Sequence, residues 1–358
     1  MEIINLTENL YKQWDNFCLE SDDAWFWHTS SWLKYILNYK PELRPVSKSF
    51  MVSKNKNIIA ICPLILETNN GVKEFGYGGD YGQVPVFANF LTLKEKQKVE
   101  KFVFSQVDKL AIENEVKRAS FRFPILSKSN LCGECQRFNY LMKFGYIDNT
   151  INTQVLDLKK PLDELRREVR HGHDSDIDRA SKALRAEIFD QNNITDEIFE
   201  IYVDLHRIAA GRITRPKATF DLMYEFIKNG NGFLVGAKKN NEFVGFAFFS
   251  LFKGNVYYSS SANNHDVEKA IPISHFIQWN AIEYMKKKDC GFYESGWQKY
   301  SPTLANFCEV KEINISKFQR GFGGYTLPFF RGEKFYDKNY FLKIYNKRIN
   351  QLAVSIDK

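Results

Sequence analysis

Apolar residues recur at helical spacing over positions 6–19. They are followed by an aromatic stretch, Ala24-Trp25-Phe26-Trp27-His28-Thr29-Ser30-Ser31-Trp32-Leu33, in which Ser30 or Ser31 is placed to cap a helix reaching about Tyr39. So aromatic an opening is expected to seal against a sheet. Residues 50–53 read as a strand, 54–57 as a turn and the apolar run 58–66 as its antiparallel return. A helix is expected over 93–112 and another strand over 117–123. The second half reads similarly: a strand at 153–158, a helix from 162 to about 184, a strand near 186–189, and helices at 195–210 and 220–228. Strands at 232–238, 242–252 and 255–261 come next, then a long helix over 272–288 and a short strand at 291–294. In the tail, 337–356, Phe341, Ile344, Tyr345 and Ile349 share one helical face, which is expected to pack back on the body.

The chain has 358 residues, more than one core usually serves, since cores stop growing near ~250–300 residues. Two domains are expected, 1–150 and 151–358, joined near 149–152. Hydrophobic residues make up 44% of the chain, with 31 Phe, 18 Tyr and 6 Trp, while 20 Gly and 10 Pro are too few for a linker-rich protein, so the chain should fold throughout. No run approaches the ~18 apolar residues of a membrane span, and residues 1–12 lack the basic start and apolar stretch of a signal peptide. A cytoplasmic protein without a transmembrane segment is expected. Its six cysteines (Cys18, Cys62, Cys132, Cys135, Cys290 and Cys308) fit a reducing compartment and ordinary core roles. The net charge of +7 favours anionic ligands such as phosphorylated precursors, CoA or tRNA, and solvated surface lysines explain it equally well.

Four segments carry a resemblance. They are Phe26-Trp27-His28-Thr29-Ser30-Ser31-Trp32-Leu33; Gln154-Val155-Leu156-Asp157-Leu158-Lys159-Lys160-Pro161-Leu162-Asp163-Glu164-Leu165; Tyr258 to Ala262 with Pro272 to Trp279; and Ile315-Ser316-Lys317-Phe318-Gln319-Arg320-Gly321-Phe322-Gly323-Gly324. Together they resemble the FemAB family, whose members add amino acids to peptidoglycan precursors or act as related envelope acyltransferases. The resemblance implies an α+β protein of two tandem GNAT-like domains, mixed sheets flanked by helices, with a C-terminal helix. Two hairpin strands, a helix and a strand, the core order of that fold, are read twice along the chain.

The resemblance further implies a cytoplasmic N-acyltransferase acting on an amine of a cell-envelope precursor, nucleotide- or lipid-linked. Peripheral membrane association is compatible with such a substrate. The acyl donor is aminoacyl-tRNA or acyl-CoA, with no tightly bound cofactor and no metal. Ordinary CoA enzymes of this fold hold the pyrophosphate on a glycine-containing turn at a helix N-terminus, and residues 262–272 here contain no glycine, which leans toward aminoacyl-tRNA. The alternatives are a CoA-dependent N-acetyltransferase acting on an amino-sugar nucleotide or surface polysaccharide precursor, and a non-catalytic glycan- or partner-binding module on the same fold.

Transfer to an amine needs a held donor, a polarised carbonyl and a proton acceptor, but no enzyme nucleophile, and no G-x-S-x-G signature is present. Tyr258 stands where the resemblance puts a substrate tyrosine able to polarise the carbonyl; otherwise it completes a hairpin face beside Tyr257. Glu294, at a strand end, could take the proton; otherwise it is a solvated carboxylate. Catalysis by this pair requires that both face one cleft, and the non-catalytic reading requires that they do not. In Phe75-Gly76-Tyr77-Gly78-Gly79-Asp80-Tyr81-Gly82 the combination of Tyr77, Asp80 and Tyr81 suits an acceptor loop, although turn chemistry also explains the glycines. By analogy Lys34 reaches acceptor phosphate, and Lys317 or Arg320 supplies the cation that the family's Phe-Lys pair gives, because Phe318-Gln319 stands in its place. His171 and His173 with Asp174 and Asp176 occupy the family's basic cluster and lack closed zinc-site spacing, so they read as a polar turn or an acceptor contact. Cys132-Gly133-Glu134-Cys135 is a single C-x-x-C and reads as structural.

Overall fold

Pro63 splits the apolar run of the first half into strands that serve different sheets, since proline lacks the N–H that a continuing ladder needs. Asn57–Cys62 pairs with Phe50–Lys54, whereas Ile65–Asn69 pairs with Val72–Phe75. The computed structural model describes residues 1–131 and 138–356. They form two compact units, Met1–Asn152 with Lys299–Ile313 and Pro328–Lys358, and Thr153–Gln298 with Asn314–Leu327. The expected second domain of 151–358 is therefore corrected at its end: the C-terminal helix belongs to the first unit. The Cys132–Cys135 motif lies outside the described residues.

In the first unit a four-stranded sheet runs Glu2–Asn5, Phe50–Lys54, Asn57–Cys62, Val86–Phe87. A seven-stranded mixed sheet runs Ile147–Asp148, Arg331–Phe335, Arg118–Arg122, Val72–Phe75, Ile65–Asn69, Val46–Ser47, with Gly82–Gln83 also on Arg118–Arg122. The helix Leu93–Glu113 begins with a capping box at Thr92 and Glu95 and sinks Val99, Val103, Phe104 and Val107 into a core with Phe50, Phe121 and Phe123. The helix expected at 6–19 is shorter, Tyr11–Glu20: Leu6 N–H is held by the Ser49 carbonyl at 2.9 Å, and Glu8–Leu10 forms a separate 3-10 turn. Thr29, not Ser30 or Ser31, caps Ser30–Tyr39; the Ser30 hydroxyl instead donates to Asp15 at 2.5 Å. Trp25 and Phe26 are fully buried, and His28 Nε2 lies 3.1 Å from the Val84 carbonyl beside the sheet.

The C-terminal helix Lys338–Ile356 packs Phe341 and Tyr345 on Phe335, while Ile349 of the expected face stays half exposed. Its anchor is electrostatic. Glu333, fully buried, receives Arg348 and Arg118, the latter at 3.2 Å, together with the Tyr345 hydroxyl at 3.1 Å. Burial would raise its carboxyl, yet hydrogen bonding and charge from Arg348 hold it below the usual range.

In the second unit one seven-stranded sheet runs Arg185–Phe189, Gly232–Lys239, Glu242–Phe252, Asn255–Asn263, Phe292–Gln298, Ile151–Asp157, Tyr325–Phe329. The helix Ile273–Lys287 covers one face through Ile277 and Ala281 against Ala247, Phe249 and Val256. Asp196–Ala210 lies on the other, with Tyr202 against Phe246 and Ser260. The helix expected over 162–184 breaks into Leu162–Glu168 and His171–Ser181, because Val169 and Arg170 are extended and Arg170 N–H donates to the Gly321 carbonyl at 2.8 Å. The short strand expected at 291–294 continues to Gln298.

Arg348→Ala should cost about 3 kcal/mol of stability in denaturant titrations, the lower end for breaking a buried ion pair because Arg118 stays; an unchanged midpoint would refute the anchoring role. Asp190 gives a pH-dependent term. Burial raises its carboxyl, but Asn192 N–H, Tyr284 and Lys288 bring it down to about 2. A group depressed on folding stabilises above its ordinary value and loses that contribution as pH falls toward 2. Acid titration of Asp190→Asn should show a shallower loss of stability below pH ~4.

Candidate active site

Strands Asn255–Asn263 and Phe292–Gln298 are parallel neighbours, and their ladder is three residue pairs long: Asn255 with Phe292, Val256 with Tyr293 and Tyr257 with Glu294. Both strands run on beyond the last pair, Tyr258–Asn263 on one side and Ser295–Gln298 on the other. Two distortions accompany this parting. On Asn255–Asn263 the antiparallel register to Glu242–Phe252 shifts between Phe248 and Phe249, leaving Ser259 as an extra, bulged residue. On Phe292–Gln298, Gly296 has φ +131°.

Strand periodicity then decides which side chains meet. Paired residues of a parallel ladder point to the same face and successive residues to opposite faces. Tyr257 therefore shares a face with Glu294. Tyr258 shares the other with Tyr293, beneath the helix Ile273–Lys287. Contacts agree: the Tyr258 phenol hydrogen-bonds the side chains of Ser261 and Gln278, Tyr293 donates to Gln278 Oε1, and burial pushes the Tyr258 phenol up. Glu294, on the opposite side, is 3% exposed, with Thr153 Oγ1 at 2.7 Å. Thr153 Oγ1 also lies 2.9 Å from the Gly296 carbonyl, so its one proton serves either acceptor. The expectation that Tyr258 and Glu294 face one cleft is thus corrected. The phenol in register with Glu294 is Tyr257, which sequence reasoning treated as a neighbour only. Nor is Glu294 a solvated strand end; the strand continues past it.

Further along, Gln298 Nε2 donates to the Gly296 carbonyl at 3.0 Å and to Gln319 Oε1 at 3.1 Å, and Arg320 Nη1 donates to Gln298 Oε1 at 2.7 Å. Arg320 is thus an oriented, half-buried cation of this polar wall, whereas Lys317 is exposed on the same helix, Val310–Arg320. The segment expected as a closing loop is this helix's last turns followed by Gly323 and Gly324. Gly324 packs on the strand Ile151–Asp157, where a Cβ would stand 2.3 Å from the Val155 carbonyl, and Gly323 packs on Glu168, where a Cβ would stand 2.7 Å from that residue's own. His173 is 2% exposed, its Nε2 2.9 Å from the Phe318 carbonyl, and a Cβ on Gly321 would strike its ring; it fastens the helix end, while His171 is exposed. Among the described residues, no group of three or more His, Cys, Asp or Glu could hold a metal ion.

The first unit commits the residues of its predicted acceptor loop internally. Gly78 and Gly79 both have positive φ, and the Tyr77 and Asp80 backbones bond each other, giving a two-residue turn. The Glu67 carboxylate beneath accepts both glycine N–H groups. Tyr77 is buried, 3% exposed. Asp80 pairs with Arg122 at 3.2 Å, and Tyr81 accepts from Asn149 at 2.9 Å under the Arg331 guanidinium. Lys34 is exposed, its Nζ 5.0 Å from the centre of the Tyr11 ring.

No family model matches the chain, and no curated protein matches it by sequence. Solved structures do. FemX aligns with a TM-score of 0.66 at 11% identity, over 96% of this chain and 100% of that one. L-PGS from Bacillus licheniformis aligns at 0.55 and 10%, covering 86% and 87%. A tandem GNAT protein from the clavulanic acid biosynthesis pathway, without AcCoA, aligns at 0.53 and 11%, covering 93% and 98%. At these identities the likeness speaks for the fold alone: the chain is an α+β protein that shares the fold of FemX and of the tandem GNAT protein.

Gly296→Ala should destabilise by about 1–3 kcal/mol, from the unfavourable φ and from a Cβ 2.3 Å from Gln319 Nε2. Adding Gln319→Ala should recover only part of the loss in thermal unfolding, since it removes the clash and leaves the φ; full recovery would show that backbone strain plays no part.

Proposed function

We propose that this protein is a FemAB-like N-acyltransferase that moves an acyl or aminoacyl group onto an amine of a nucleotide- or lipid-linked cell-envelope precursor, in the cytoplasm, with aminoacyl-tRNA the favoured donor. The observation that carries the reading is the parallel ladder that parts after Tyr257 and Glu294. Parting strands expose main-chain groups between them, and an extended donor can lie there with its carbonyl at the last pair. The FemX and L-PGS likenesses support the class, and the glycine-free segment 262–272 supports the donor. Among the described residues no helix is long and apolar enough to cross a membrane.

In this reading the acceptor amine attacks the donor carbonyl directly. The Tyr257 hydroxyl donates to the oxygen as negative charge develops, Glu294, oriented by Thr153, takes the proton lost by the amine, and the carrier leaves with the bonding electrons. Tyr258 positions the strand through Gln278. Arg320 and Lys317 lie toward the phosphate-bearing part of a substrate. The second reading, a non-catalytic glycan or partner module, draws on the opposite facing of Tyr258 and Glu294, so the kinetic test must rest on Tyr257.

Transfer from charged tRNA or from acetyl-CoA to peptidoglycan nucleotide precursors and amino-sugar nucleotides is the assay. Tyr257→Phe should lower kcat by about 10²-fold with KM nearly level, the cost of one oxyanion donor. Glu294→Gln should lower kcat by about 10²-fold or more. Tyr258→Phe should keep most of kcat and lose about 1 kcal/mol of stability. If Tyr257→Phe and Glu294→Gln both leave kcat intact, or the parent transfers nothing, the module reading replaces this one.

A further inference from the structure

The segment between Asn255–Asn263 and the helix Ile273–Lys287 is folded, not a bare loop. Asn264 caps a short helix, His265–Ala270, by accepting from Asp266 and Val267 N–H at 3.0 and 3.2 Å. That helix carries Glu268, whose carboxylate turns onto the start of the next. Ser274 N–H lies 3.2 Å from both Glu268 oxygens, and Asn263 Nδ2 donates to Oε2 at 3.1 Å and to Ser274 Oγ at 2.8 Å. Burial pushes this carboxyl up, against the hydrogen bonds it receives. The packing leaves no slack: a Cβ on Gly245 would stand 2.4 Å from Asn263 Oδ1 and 2.6 Å from Ile273 Cγ2.

The location gives Glu268 its meaning. Asn263 ends one of the two parting strands, so a donor lying between them would bring its far end to the first amides of Ile273–Lys287. Helix N-termini attract phosphate through free N–H groups and the helix dipole. Here an internal carboxylate already holds that position.

We propose that Glu268 is a donor-selecting residue: it seats a built-in anion on the first turn of Ile273–Lys287 and thereby excludes carriers that would dock a diphosphate there, CoA among them. The inference rests on the transferase reading, since it concerns the donor of the same site.

The test is binding, not turnover. Calorimetry and thermal shift on the full chain use CoA and, separately, inorganic diphosphate. The parent should bind neither at millimolar concentration. Glu268→Ala should bind both, with Kd at least about tenfold below the parent's limit, because a like charge and its volume have gone. Glu268→Gln keeps the volume and loses the charge, so it should gain in the same direction by less. It carries the comparison if circular dichroism shows Glu268→Ala unfolded. Equal CoA binding by parent and variants overturns the proposal, and so does no binding by any folded variant. Failure of the transferase reading would register separately, as a parent that transfers no acyl group, and would leave the binding comparison intact.

Discussion

Ser259 is the extra residue in the ladder between Glu242–Phe252 and Asn255–Asn263, and the inversion it introduces organises both faces of the second unit's sheet. Before it, Val256 and Tyr258 face the helix Ile273–Lys287; after it, Ser261 does, and Ser260 turns to Tyr202 at 2.6 Å. Without the bulge, Tyr258 and Ser260 would share a face and the bond from Tyr258 to Ser261 could not form. The same bend carries the strand away from Phe292–Gln298 one residue after Tyr257 meets Glu294. Gly296 completes the parting from the other side, and only glycine has the backbone freedom and the absence of Cβ that Gln319 requires.

The strands of the second unit were legible to within a few residues because burial on both faces makes long apolar runs, and Asn240-Asn241 and Lys253-Gly254 supply left-handed turns between them. What local pattern cannot show is a change of facing within a strand. Tyr257-Tyr258-Ser259-Ser260-Ser261 reads as simple alternation, and the bulge that reverses it depends on Phe248 and Phe249 across the sheet. The break in the helix expected over 162–184 was hidden for a similar reason, since its cause, the Gly321 carbonyl, lies far along the chain. The role of Glu268 is hidden likewise, since the Ser274 N–H and Asn263 amide that hold its carboxylate meet it only once the strand, short helix and long helix have packed.

In the first unit, glycines beside phenols suggested a ligand loop, and the geometry gives them to turn formation. Gly78 and Gly79 take two successive positive φ values, a Cβ on Gly78 would stand 2.7 Å from the Tyr39 ring, and buried Glu67 takes up both N–H groups, so the turn is fixed from beneath. The flanking Tyr77 is withdrawn by the same pairing that brings Asp80 to Arg122. A motif read for its side chains was written for its backbone.

The return of residues 328–358 to the first unit bears on how the protein is made. Arg331–Phe335 is an interior strand of the first unit's larger sheet, between Ile147–Asp148 and Arg118–Arg122, and Glu333 on it takes its charge partners from both Arg118 and Arg348. During vectorial synthesis those residues emerge after almost all of the second unit. The nascent first unit must wait with Arg118–Arg122 unpaired on one edge while the later-made unit acquires most of its chain, so order of translation and order of completion are reversed. For the same reason, a cut at residue 152 would leave the amino-terminal fragment without the strand that joins Ile147–Asp148 to Arg118–Arg122.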